Sequence, residues 1–260
     1  MVAQRGRLTF SGMREMIANR FNPLGTQKKT PAMQYIREGL IAQWDGVENA
    51  GFGKHSDSPK TWKDLTGNHV ATPSGSPVFK EDCVYFDGDT SKLADVGDPQ
   101  TSNAKLTFNS PLIKDATNAN EITVEVVFKP IRQTYSSING GYIGFCNNVR
   151  TAWFWSSYNY AVSAYSYKTD DNLSVSLKWG DYNNKKMSVV LRKGDFILNG
   201  ATIASLDYGG VVTDDTCHIG YIQGYQHGRA EIYAIRVYNR ILTDAEIAHN
   251  LAVDKERFGL

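Results

Sequence analysis

A pair of carboxylates at the right separation can hydrolyse a glycosidic bond, so the acidic residues of this 260-residue chain are the first place to look for chemistry. Glu121 and Glu125 come nearest to such a pair. Four residues apart on a strand, they share a face but stand about 13 Å apart at roughly 3.3 Å per residue. Glycosidase pairs stand about 5–9.5 Å apart, and Thr123 between them is not acidic. Both read as a solvated strand face. No GxSxG elbow and no HExxH occurs. His55, His69, His218, His227 and His249 lack metal-ligand spacing, and Cys217-His218-Ile219 reads as a strand with a sheet histidine. The stretch Gly46 to His55 misses the phosphate-loop spacing, because Phe52 follows Gly51 and His55 follows Lys54. Cys83, Cys146 and Cys217 are too few for a disulfide scaffold, and no CxxC is present. Cys83 and Cys146 sit beside apolar strand residues and read as small buried hydrophobes. The expectation is a protein that is not an enzyme.

Binding is better represented. Thr151 to Tyr160 reads TAWFWSSYNY. On a strand Trp153 and Trp155 share one face, and Tyr158 and Tyr160 share another. Aromatic rings stack on the C–H faces of sugars, and Trp and Tyr combine an apolar body with a polar tip. Trp179, Tyr182, Tyr225 and His227 sit in similar mixtures with Asn, Gln and Gly. These eight residues are the candidate ligand-binding set, against the alternative that Trp153 and Trp155 fill a core. The N-terminal 30 residues hold Arg5, Arg7, Arg14, Arg20, Lys28 and Lys29 against Glu15 alone, a net of +5 in a chain of net +1. Met13, Met16, Ile17 and Phe21 recur at helical spacing. Arg5, Arg7, Arg14, Arg20 and Phe21 are the candidate partner-docking residues.

The elements that must hold these residues are strands. Residues 122–129 alternate with period two, and Pro130 ends the run. Met187–Leu191 and Phe196–Leu198 flank Lys193-Gly194-Asp195, a hairpin signature, and Asn199-Gly200 follows as a second turn. Ile232, Ala234, Arg236 and Tyr238 alternate with Tyr233, Ile235 and Val237. Thr243-Asp244-Ala245-Glu246 is a capping box opening a terminal helix, with Ile247, Leu251 and Val253 facing inward. Short strands, tight turns and little helix predict a β-sandwich. A net charge of +1 gives no case for nucleic acid or membrane binding, and no run of 18 apolar residues is present to span a bilayer.

The closing segment Ile232-Tyr233-Ala234-Ile235-Arg236-Val237-Tyr238-Asn239-Arg240-Ile241-Leu242-Thr243, with Glu246-Ile247, resembles the last strand and helix of laminin-G-like domains in the concanavalin A-like lectin/glucanase superfamily. Three further pieces fall in that family's order: Asp64-Leu65-Thr66-Gly67-Asn68, Phe86-Asp87-Gly88 and Phe196-Ile197-Leu198-Asn199-Gly200. The resemblance spans roughly residues 38–260. It implies an all-β fold, a two-sheet antiparallel jelly-roll sandwich, here with a short N-terminal helical arm (residues 1–37) and a C-terminal helix. Many relatives hold a structural calcium through an acid where this chain has Tyr233, with Ala234 beside it. Calcium prefers six to eight oxygen ligands, so no cofactor is expected; Asp87 and Asp89 are the weak metal candidates, and turn chemistry explains them better. The glucanase branch carries E-x-D-x-x-E on one strand, and this chain does not.

The expectation is thus a virion protein of a bacteriophage, a fibre or decoration subunit. It would be assembled in the host cytoplasm because no secretory signal follows Met1, and would display a lectin-like domain to host-surface or mucus glycans. The arm would dock on other virion or surface proteins, and a homo-oligomer is expected. The alternatives are a secreted or cell-surface carbohydrate-binding module, and a glycoside hydrolase with an unrecognised site.

Overall fold

The computed structural model describes residues 34–49, 53–54, 61–75, 77–87, 105–108, 122–131, 142–144, 152–156, 161–165, 172–176, 179–182, 184–192, 195–205, 218–219 and 229–260. The expected N-terminal helix and Arg5, Arg7, Arg14, Arg20 and Phe21 lie outside the described residues. The strands are β1 (Leu40–Asp45), β2 (Glu48–Asn49), β3 (Gly53–Lys54), β4 (Trp62–Lys63), β5 (Val70–Ser74), β6 (Val78–Phe79), β7 (Val84–Asp87), β8 (Lys105–Phe108), β9 (Thr123–Pro130), β10 (Tyr142–Gly144), β11 (Ala152–Ser156), β12 (Ala161–Tyr165), β13 (Asn172–Ser176), β14 (Met187–Arg192), β15 (Asp195–Leu198), β16 (Ala201–Ser205), β17 (His218–Ile219) and β18 (Arg229–Tyr238). The helices are α1 (Trp179–Tyr182) and α2 (Asp244–Phe258).

An eight-stranded sheet in the order β16-β15-β14-β9-β18-β7-β6, with β1 also on β18, forms the main layer. A four-stranded sheet β17-β8-β5-β4 shares its core. Trp44, Trp62, Phe86, Leu106, Phe128 and Phe196 fill the space between, each less than 2% exposed. Burying a side chain of this size is worth about 1.5–3 kcal/mol. The two indoles satisfy their N–H groups inside that core: Trp44 donates to the Trp62 carbonyl and Trp62 to the Asp45 carbonyl. Among the described residues every pairing is antiparallel. This is the all-β antiparallel sandwich expected from the sequence, with its C-terminal helix. Tyr35 and Ile36 are drawn into it, since Tyr35 is buried and donates to Asp254 while the Ile36 amide donates to Asn250.

The β18 alternation departs from the simple period-two reading. The register against β9 shifts between Ile232 and Ala234, so Tyr233 is an extra residue and the strand carries a bulge. Ala230 and Ile232 before it, and Ile235 and Val237 after it, therefore all join the same core. Arg236 and Tyr238 face the other side, under α2. A slip of one residue exchanges faces, so the bulge is what lets both halves of β18 bury their apolar side.

The turns behave as their sequences require. Asn199 and Gly200 both have positive φ, 50° and 87°, the type I′ geometry that joins β15 to β16. A Cβ at Gly200 would stand 2.8 Å from the Leu251 side chain, which keeps the hairpin close to α2. Thr243 caps α2: its side chain accepts from the Glu246 amide, and the Glu246 carboxylate accepts from the Thr243 amide. Gly259 closes the helix in the left-handed conformation. Ile247, Leu251 and Val253 are buried, as the spacing indicates.

Candidate functional site

Trp153, Trp155, Trp179 and Tyr182, four of the eight candidate residues, lie on one excursion of the chain. β9 and β14 are hydrogen-bonded neighbours in the main sheet. The chain between them leaves that sheet, forms the separate meander β10-β11-β12-β13, and returns through α1. Its two roots are tied, because the Asn184 amide donates to the Pro130 carbonyl at 2.9 Å. Trp153 and Trp155 lie on β11, an interior strand of the meander, with Trp155 opposite Val162 and Trp153 opposite Ala164. Trp179 opens α1. Tyr182 closes it, half-buried and packed against the main core, so part of that ring serves packing. Tyr158, Tyr160, Tyr225, His227 and Asp89 lie outside the described residues. Asp87 ends β7, opposite Arg229.

The family-like segments hold the fold together. Asp64 of the DLTGN turn is fully buried and accepts from the backbone amides of Gln43, Thr66, Asn68 and His69. That one carboxylate sets the turn and stitches it to β1. Arg236 of the closing motif is 1% exposed and bridges two buried carboxylates. Its Nε donates to Glu125 at 2.7 Å, while its Nη1 and Nη2 donate to Asp254 at 2.9 and 2.6 Å. Its guanidinium lies 4.0 Å from the Tyr35 ring centre. Asn250 donates to both Glu125 and Tyr238. Arg257 extends the network to Asp45. Arg240 donates to both oxygens of Glu246, locking the strand-to-helix corner.

This corrects the reading of Glu125 as a solvated face: it is 1% exposed and lies under α2. Burial pushes its carboxyl above the usual range, and the Arg236 charge pulls it back. Burial also works against the Arg236 charge, but Asp254 and Glu125 outweigh it and keep the guanidinium protonated. Glu125 and Asp254 are committed to one guanidinium and shut off from solvent, so their chemistry is that of a clamp between helix and sheet.

A second polar cluster lies on the same side of β18. Lys80 donates to Glu231 at 2.6 Å, Tyr233 does so at 2.7 Å, and Lys129 pairs with the same carboxylate. Burial opposes ionisation of Glu231, but the bonds from Lys129, Lys80 and Tyr233 prevail and lower its pKa to about 2. Beside Glu231 on β18, the Tyr233 ring and the Ala234 methyl are both buried. Among the described residues no three His, Cys, Asp or Glu side chains gather as a metal site. Cys83 is 1% exposed and burial raises its thiol to about 12.

Sequence reasoning did not anticipate a groove of about 500 Å³ between the β15–β16 hairpin and α2. Asn199, Gly200 and Thr202 line one wall, and Asp244, Leu251 and Lys255 the other. No aromatic ring lines it, so it lacks the stacking surface a sugar needs.

No protein-family model matches the chain, and no curated protein sequence matches it. Among solved structures it is similar to Trypanosoma rangeli sialidase, at 15% identity and a TM-score of 0.54, over 84% of this chain and 33% of the sialidase. The same sialidase in complex with the inhibitor DANA matches over 93% of this chain and 39% of that one, at 14% identity and a TM-score of 0.52. The receptor binding domain of botulinum neurotoxin mosaic serotype C/D matches at 12% identity and a TM-score of 0.56, over 82% of this chain and 50% of that domain. The chain therefore spans about a third of the sialidases' length and half of the toxin domain's. Identities this low show a shared β-sandwich fold. They also correct the expectation of a protein that is not an enzyme: the fold occurs within sialidases, so missing motifs are no ground for setting catalysis aside.

Proposed function

We propose that this chain is a glycan-binding β-sandwich module of the concanavalin A-like, laminin-G-like kind, working at a cell surface or outside the cell. The observation that carries this reading is the match to one domain-sized portion of sialidases and of a toxin's receptor binding domain. The chain's own residues support it, because Trp153 and Trp155 on β11 and Trp179 on α1 belong to an excursion that the main sheet does not need for its pairing. Trp153, Trp155, Tyr158, Tyr160 and Trp179 are the residues proposed to stack on sugar. Titration of the full chain against a glycan panel tests this. Binding that falls at least tenfold in Trp155→Ala, a loss of about 1.4 kcal/mol, is the expected result. No binding to any glycan would sink the reading. The sialidase likeness favours a second reading, glycoside hydrolysis, and release of free sugar from the same panel would establish it.

A further inference from the structure

The turn between β15 and β16 carries a reactive pair, Asn199-Gly200. Asparagine is among the thermolabile residues, and a glycine after it leaves the attacking nitrogen unhindered, because glycine has no Cβ. In mild base the Gly200 amide nitrogen loses its proton and attacks the Asn199 carboxamide carbon. A C–N bond forms, the bond to Nδ2 breaks, and ammonia leaves behind a cyclic imide. Water then opens the imide at either carbonyl. One product is aspartate. The other is isoaspartate, in which the main chain runs through the former side chain and gains an atom. Asn199 and Gly200 are both exposed, so water and hydroxide reach them.

The fold needs both residues as they are. The Asn199 amide donates to the Ser188 carbonyl at 2.8 Å, one position beyond the Val189–Leu198 pair of the β14–β15 ladder. In return the Ser188 amide donates at 2.9 Å to the Asn199 side-chain Oδ1. The carboxamide thus stands in for a backbone acceptor at the end of the ladder. Ser188 is 3% exposed, and a buried amide without its acceptor is costly. Gly200 has a φ of 87°, and a Cβ there would meet Leu251 of α2. The same contacts oppose the reaction. Ring closure requires rotation about the Asn199 ψ and χ1 torsions to bring the Gly200 nitrogen onto the carboxamide carbon. The type I′ turn fixes the first torsion, and the bond from Ser188 fixes the second.

We infer that Asn199 is a spontaneous deamidation site gated by the hairpin: closed while the turn rests on Ser188, reactive once it opens. The two products have different fates. Aspartate keeps an acceptor oxygen for the Ser188 amide, so the turn re-forms over it. Isoaspartate lengthens a two-residue loop, and loop length sets the register of a hairpin. Phe196, Ile197 and Leu198 of β15 are buried, so a molecule carrying isoaspartate fails to close β15–β16 over the core. Opening of this edge of the sheet is thereby recorded covalently.

The test is peptide mapping by mass spectrometry of the full chain aged in mildly alkaline buffer, folded and in urea, with synthetic peptides separating isoaspartate from aspartate. Asn199 is expected to convert at least about tenfold more slowly in the folded protein, because reaction there waits on local opening. Protein aged in urea is then diluted into refolding buffer and treated with a protease. Isoaspartate should be confined to the digested fraction, while the resistant fraction carries asparagine or aspartate at this position. Asn199→Asp should keep its circular dichroism spectrum and melting temperature, whereas Asn199→Ala, which strips the Ser188 amide of its acceptor, should melt lower. Equal conversion rates in folded and unfolded protein would overturn the gate. Isoaspartate shared equally between the two fractions would overturn its rejection by the hairpin. A melting temperature for Asn199→Ala equal to that of the unaltered chain would overturn the part given to the Ser188 bond.

Discussion

Replacing Arg236 with Met tests whether the buried clamp holds α2 to the sheet. Met nearly matches the length of the Arg stem and is apolar, so the change removes charge with little loss of packing. Three hydrogen bonds to carboxylates disappear, and Glu125 and Asp254 remain buried without their shared cation. Removing one partner of a buried ion pair costs about 3–5 kcal/mol, because the other charge is left uncompensated. Two bonds survive, from Asn250 to Glu125 and from Tyr35 to Asp254, so a loss near 3 kcal/mol is expected at neutral pH. At about 2–4 °C per kcal/mol for a domain of this size, thermal unfolding followed by circular dichroism should show a drop of roughly 10 °C. The pH dependence adds a second constraint. Without Arg236 its charge no longer offsets the burial that already raises the Glu125 carboxyl, so the folded pKa moves further above the unfolded value. The destabilisation is then largest at neutral pH and shrinks as the pH is lowered to about 5. A loss under about 1 kcal/mol, or one that is the same at both pH values, would refute the clamp.

The intact protein should respond to acid in the opposite sense. Glu231 and Glu246 are both held at about 2, Glu231 by Lys129, Lys80 and Tyr233 against its burial, and Glu246 first by Arg240 and then by the Thr243 backbone. Depressed folded values give stability that is full above the ordinary carboxyl range and lost as pH falls from about 4.5 to about 2, which urea melts across that window will read. In a variant with Cys146→Ser and Cys217→Ser, the remaining Cys83 thiol should resist a thiol reagent until the protein unfolds, since it is 1% exposed and raised to about 12; fast native labelling would contradict this. Deleting residues 1–30, with six basic side chains against one acid, should leave the melting temperature nearly unchanged. If the chain is particle-borne, the same deletion should abolish its incorporation; normal assembly of the truncated protein would end that idea.

Much of this fold is legible in the sequence because its signals are local. The Asn199-Gly200 turn, the Thr243 capping box and the alternation through β9 depend on residues a few positions apart, and the structure follows each of them. Glu125 escaped because its partners come from far along the chain: Arg236 is 111 residues away and Asn250 is 125. A charged residue on a strand reads as outward-facing unless the arginine that will cover it is known. The Tyr233 bulge escaped for a related reason, since period-two counting has no place for an inserted residue and only the pairing with β9 reveals it. The aromatic set was visible as composition. The placing of Trp153 and Trp155 on a meander apart from the main sheet depends on the β9–β14 pairing across residues 131–186, which nothing in the local pattern encodes.

That excursion also bears on how such a chain can change. Its two roots are already bonded to each other, and the strands they continue into are already paired from Phe128–Met187 onward. The 53 residues between Pro130 and Asn184 are therefore an exchangeable cassette. Replacing them with a turn of a few residues would relieve about 2 kcal/mol of loop-closure entropy at roughly 0.6 kcal/mol per halving of length, leaving the β9–β14 ladder in place. The excursion can then be swapped or rewritten, in evolution or at the bench, while the ladder beneath keeps its register.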